Sequence, residues 1–139
     1  MNWSSMNLQS FEIIKKSYYN DNISLILSIE EINTLCAAVN EDPSLLAWIY
    51  NSNDDIQIAA INSTSTKDYK DGRILQVIKN PSEKVQLIAV QKDGECIRYL
   101  RNPSEAVQLV AINQNKLAIR YIREPFQSVK NAAKIFVDK

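Results

Sequence analysis

Five basic residues recur at intervals that could set them in register: Lys79, Arg98, Arg101, Arg120 and Arg123. Arg98 and Arg101 are three apart, as are Arg120 and Arg123, so each pair shares one face of a helix. The pairs recur 22 residues apart, with Tyr99 and Tyr121 beside them and Trp48 at the equivalent place earlier in the chain. A guanidinium is a planar, permanently charged fork that meets carboxylate or phosphate oxygens two at a time. Tyrosine beside arginine also suits an interface hot spot. The chemistry on offer is recognition of an anionic partner. The same arginines read equally as solvated surface, some paired with Glu95, Glu105 or Glu124, with the tyrosines packed between repeats.

Little else in the chain could do chemistry. There is no histidine, the commonest general base and metal ligand. The two cysteines, Cys36 and Cys96, stand among apolar neighbours and read as buried small hydrophobes. No metal site is expected. Paired carboxylates, a glycine-rich phosphate loop and a nucleophile beside a base are all lacking. An enzyme would need Trp48 and the tyrosines to stack on a base with an aspartate as catalyst, as in a small DNA-repair glycosylase. No catalytic or cofactor-binding residue is assigned, no cofactor is expected, and the chain is expected not to be an enzyme.

The elements that would position the ladder come from a repeat. Asn80-Pro81-Ser82-Glu83 recurs as Asn102-Pro103-Ser104-Glu105 and, degraded, as Glu124-Pro125-Phe126-Gln127. Val85-Gln86-Leu87-Ile88-Ala89-Val90 matches Val107-Gln108-Leu109-Val110-Ala111-Ile112. Self-similarity at a fixed short period means a stacked architecture. In each unit the spacing predicts an N-cap at Asn80, Pro81 at the first helical position and Glu83 at the third. Lys92-Asp93-Gly94 is the breaker, with Gly94 as the residue past the helix end. A second helix follows over Glu95–Arg101. Stepping back from Ile122 gives Leu100 and Ile78, then Ile49 after a 29-residue step, then Leu27. Ser28 with Glu31 forms a capping box, and Asp42-Pro43 opens another helix by the same logic.

The fold class expected is all-α: an α-solenoid of about five short two-helix repeats with an N-terminal capping helix. It forms one domain over 1–139. Residues 1–21 form the cap, whose helix over 7–19 would bury Leu8, Phe11, Ile14 or Lys15, and Tyr18. Residues 22–62 hold repeats 1 and 2, and 63–71 an inserted polar loop. Residues 72–123 hold the first helices and linkers of repeats 3 to 5, and 124–139 the last helix and C-terminal cap. Loops carry function disproportionately, so Lys67, Tyr69 and Lys70 join the candidate contacts. The column Gln57, Gln86, Gln108 is expected to face solvent or to bond between units. The acidic residues Glu30, Glu31, Glu41, Asp42, Asp54 and Asp55 are expected mostly at first turns, where the helix dipole favours them.

The asparagine-proline-serine-glutamate starts and valine-glutamine-leucine-x-alanine-valine cores resemble short helical repeats of bacterial, phage and giant-virus proteins. More distantly they resemble HEAT-type and leucine-rich-variant repeats. The resemblance is best over residues 73–123. It implies a solenoid and an interaction role, and it carries over no catalytic residue.

Charge divides along the chain. Residues 1–70 carry nine acids and four bases, and residues 71–139 seven acids and twelve bases, so a net charge of zero hides halves of −5 and +5. Such halves are able to pair head to tail or antiparallel in a homo-dimer. Apolar runs are too short to span a bilayer, no signal peptide is recognisable, and a cytoplasmic location is expected. The Ile-, Asn- and Lys-rich composition is what AT-rich coding favours, as in low-GC bacteria, phages and large DNA viruses. The expected function is a non-enzymatic protein-protein interaction module that contacts an acidic surface, for a phage or mobile element a host protein that it inhibits or redirects. The alternative is nucleic-acid binding through the basic ladder.

Overall fold

The structure is a computed structural model that describes residues 8–18, 27–49, 52–63 and 73–137. Among these the chain is all-helical, and no strand occurs. In order, α1 is Leu8–Tyr18, α2 Ile29–Glu41, the 3-10 helix η1 Pro43–Trp48, α3 Asp54–Ile61 and the 3-10 helix η2 Arg73–Val77. Then come α4 Glu83–Lys92, η3 Gly94–Tyr99, α5 Glu105–Gln114, η4 Lys116–Tyr121 and α6 Gln127–Val137. They form two compact units, one up to residue 63 with Val77–Lys79, the other from 80 onward with the segment ending at Gln76.

In the first unit α2 packs against α3, η1 and α1. Ser28 and Glu31 form the capping box read from the sequence: the Glu31 N–H donates to Ser28 Oγ at 3.1 Å, and the Ser28 N–H to Glu31 Oε2 at 2.8 Å. Asp42 caps η1 by accepting from the Ser44 N–H at 3.1 Å, with Pro43 next in line. Leu35, Val39, Leu45, Leu46 and Ile56 form the core. Glu30, Glu31, Asp54 and Asp55 occupy first turns as expected, whereas Glu41 closes α2. Helix α1 departs from its expected face. Ile13, Ile14 and Ser10 are buried, while Leu8 is 76% exposed and Phe11 is exposed. Ile14 is buried as the spaced pattern expected, and adjacent Ile13 joins it in place of Leu8 and Phe11.

In the second unit α4 packs on α5, α5 on α6, and η3 on η4. Val85, Val90, Ile97, Val107, Ile112 and Val129 are almost wholly buried. Each α-helix begins two residues later than the asparagine-proline signal implies. The N-caps are Ser82 and Ser104, both extended, and their hydroxyls accept from the N–H groups of Val85 and Val107 at 3.3 Å each. Pro81 therefore stands outside the helix. Its carbonyl is taken by the Gln86 side chain at 2.9 Å. The second helices of the repeat are 3-10 turns, capped by Asp93 and Asn115, which accept from the N–H groups of Glu95 and Leu117 at 3.0 Å. A short carboxylate or amide acceptor two residues before the donor favours this tight start.

Gly94 stands just past the helix end, as expected, but is not left-handed. Helix α4 closes on extended Asp93, and Gly94 opens η3. A glycine is needed because α5 comes so near. A methyl there would run into the Ala111 carbonyl oxygen and lie 2.9 Å from Gln114 Oε1. The Gly94 N–H donates to that same oxygen at 2.6 Å, and Gln114 Nε2 donates to Lys92 O at 3.4 Å.

The glutamine column neither faces solvent nor chiefly joins repeats. The Nε2 atoms of Gln57, Gln86 and Gln108 donate to the carbonyls five residues earlier, Ser52, Pro81 and Pro103, at 2.7, 2.9 and 3.1 Å. Gln108 adds a link between repeats, as its Oε1 accepts from the Phe126 N–H at 3.2 Å.

Two substitutions test these contacts by urea unfolding. Gly94→Ala should destabilise the chain by about 1–3 kcal/mol through overpacking, whereas Ala at exposed Gln91 should change stability by less than about 0.5 kcal/mol. Gln108→Leu keeps the volume but strands a carbonyl and an N–H, and should cost about 2 kcal/mol or more.

Candidate anion-binding groove

After η3 the chain leaves the helix at Leu100, whose extended backbone (φ −101°, ψ 138°) ends the turn as its N–H donates to Ile97 O. Arg101 and Asn102 form a bend, Pro103 follows, and Ser104 starts α5. One repeat later Ile122, Arg123, Glu124 and Pro125 do the same before Phe126. These two linkers, with the last turns of η3 and η4, wall a groove of about 860 Å³. Arg98, Arg101 and Arg123 supply its positive charge, and Tyr121 and Phe126 its aromatic surface. Glu124 is the one acidic residue on its lining.

Arg98 Cζ lies 4.9 Å from the Tyr99 ring centre and 5.4 Å from that of Tyr121, and Arg120 Cζ lies 4.8 Å from the Tyr121 ring. Tyr121 thus serves guanidiniums from two consecutive repeats. Each such contact at an exposed site contributes about 0.5–1 kcal/mol and orders a side chain that water would leave mobile. Slight desolvation opposes the charge on Arg98, but Tyr99 and Tyr121 outweigh it and raise its pKa. Arg98 is therefore a fixed charge at any working pH.

The five candidate bases fall into different settings. Arg120 is spoken for: its guanidinium donates to Glu95 Oε1 at 3.0 Å, and Asn115 Nδ2 reaches the same oxygen at 3.5 Å. Among the described residues no carboxylate lies within ion-pair distance of Arg98, Arg101 or Arg123. Lys79 is exposed and belongs to the first unit, as does Trp48, which ends η1 and is 44% exposed. Lys67, Tyr69 and Lys70 lie outside the described residues. Phe126, 47% exposed, was missed by the charge pattern. Its signal is a break in the repeat, because it stands where Ser82 and Ser104 cap their helices.

The thiols are poorly placed for nucleophilic work. Burial, with the Asp93 carboxylate adding to it, pushes the Cys96 thiol up from an ordinary 9.0 to about 12. Burial and then Asp55 raise that of Cys36, which is only partly covered. Among the described residues no group of three or more His, Cys, Asp or Glu is placed to hold a metal ion. No helix there is long and apolar enough to cross a membrane.

The raised Cys96 thiol has a pH consequence. It is neutral in both states below about pH 9, and between there and about 12 it ionises only in the unfolded chain. Stability should therefore fall with rising pH in that window, and fall less steeply in Cys96→Ala, as read from urea midpoints at pH 9, 10 and 11. At pH 8 a thiol reagent should modify Cys36 first and reach Cys96 only on unfolding. No protein-family model, curated protein or solved structure matches this chain.

Proposed function

We propose that the chain is a non-enzymatic protein-binding module, an α-solenoid of about five short two-helix repeats with an N-terminal capping helix, whose second-unit groove takes an acidic segment of a partner protein. The observation that carries this reading is the convergence of Arg98, Arg101 and Arg123 on one groove with no carboxylate among the described residues in ion-pair reach. Unneutralised guanidiniums have most to gain from an external carboxylate. Stacking on tyrosine leaves Arg98 already ordered, so less side-chain entropy is lost when a partner docks. Exposed Phe126 adds an apolar anchor beside the charges.

Nucleic acid fits the same features less well. Single strands are held by aromatic faces open to the bases, together with a long basic track. Here Tyr121 has guanidiniums over it, and the groove holds three cations in a chain of zero net charge.

The test is fluorescence anisotropy with a labelled twelve-residue oligoglutamate and a single-stranded oligonucleotide of equal charge. The peptide should bind, weaken between 50 and 300 mM salt as screening sets in (Debye length about 10 Å at 0.1 M), and lose about tenfold or more of its affinity in Arg98→Ala/Arg101→Ala/Arg123→Ala. Tighter binding of the oligonucleotide would replace this reading with the nucleic-acid one.

A further inference from the structure

Acidic residues in the second unit are, with one exception, built into the scaffold. Between residues 73 and 137 they are Glu83, Asp93, Glu95, Glu105 and Glu124. Asp93 accepts from the Glu95 N–H at 3.0 Å to start η3, and Glu95 holds Arg120 at 3.0 Å. Glu83 and Glu105 stand in the first turns of α4 and α5. Each accepts from a serine hydroxyl of the following repeat, Glu83 from Ser104 at 3.2 Å and Glu105 from Ser128. Glu124 is the exception. Among the described residues it accepts no hydrogen bond and pairs with no cation, although Arg123 precedes it and Arg98 and Arg101 share its groove.

Glu124 also stands where the repeat departs from itself. Its equivalents are Asn80 and Asn102, both uncharged, and Asn102 lines the same groove. The neighbouring departures are Phe126 for serine and Gln127 for glutamate. A serine cap and a first-turn carboxylate both favour a helix start. Helices α4 and α5 have both, whereas α6 has no acid in its first turn and Phe126 has no side-chain acceptor to offer. Local rules of this kind are broken mainly where a surface serves function. Here they are broken in the linker that puts Glu124 and Phe126 on the groove.

An unpaired carboxylate among unpaired guanidiniums discriminates in two directions. It repels a ligand that is anionic throughout, because like charges brought face to face oppose docking. It attracts a cation that the ligand carries beside its own acids.

Resting on the protein-binding reading above, we infer that Glu124 is a specificity-determining residue of the groove, and that the partner segment it selects carries a lysine or arginine beside its acidic residues. The arginines take the segment's carboxylates, and Glu124 takes its cation. The selection is by sign and holds for any backbone conformation of the segment.

The experiment uses labelled twelve-residue glutamate peptides with a single lysine, moved through the sequence position by position. Each has a twin with acetyl-lysine in its place, and all are followed by anisotropy on the full chain. Acetylation removes the positive charge and makes the twin more anionic. A groove that reads net charge alone binds every acetylated twin tighter. With Glu124 as the selector, at least one lysine peptide should bind about two- to fivefold tighter than its twin, the strength of an exposed ion pair. Glu124→Gln should reverse that order, and since Glu124 is exposed the variant should fold as the parent does. Acetylated twins that bind equally well or tighter at every position overturn the role of Glu124 and leave the protein-binding module standing. A lysine preference that survives in Glu124→Gln overturns that role as well. Failure of every acidic peptide to bind overturns both readings.

Discussion

A short helical repeat must turn its chain sharply after each helix, and the turn exposes a carbonyl that no helix can use. In this chain a glutamine takes that carbonyl from the helix which follows. Gln57, Gln86 and Gln108 each reach back five residues to a linker oxygen, at 2.7, 2.9 and 3.1 Å. Gln57 and Gln108 are buried, so their amides exchange water for the backbone, and an unmade bond there would cost about 1–3 kcal/mol. The linker is thereby tied to the helix that follows it. Of the groove's bases, Arg101 stands on a linker held this way, through Gln108 and Pro103, whereas the repeat after Arg123 has Lys130 where a glutamine would stand.

Charge then separates residues that the repeat makes equivalent. Arg98 and Arg120 are the same position in consecutive repeats, yet Arg120 binds Glu95 while Arg98 lies between two tyrosines. The difference follows from direction along the stack. Arg120 has the acidic cap-side residue of the previous 3-10 helix behind it, whereas Arg98 has the next repeat's tyrosine ahead of it. One ladder rung is structural, and its counterpart stays available.

Much of this could be read from the sequence, because a fixed period reports equivalent environments whatever they are. The helical class, the Ser28–Glu31 box and the Asp42-Pro43 start were legible from local capping chemistry. The start of α4 was not, because Asn80-Pro81 and Ser82-Glu83 are both acceptable caps two residues apart. Only the Gln86 bond to Pro81, a contact within the fold, selects Ser82. The arginines of the groove were visible as a column. Phe126 was not, since a periodic reading rewards agreement and Phe126 matters where the period fails. The buried face of α1 was legible only in part for a related reason: the spacing named Ile14 but overlooked its neighbour Ile13.

The close approach at Gly94 has a consequence for the shape of the second unit's stack. Gln114 stands in for a missing peptide there, accepting from Gly94 and donating to Lys92, so two repeats meet almost backbone to backbone. Twenty-two residues on, the same position is Lys116. Helix α6 cannot make that approach to a residue with a Cβ. The site just after each capping aspartate or asparagine is therefore a shim: its thickness, nothing at glycine and a methylene or more elsewhere, limits how near the next α-helix can come.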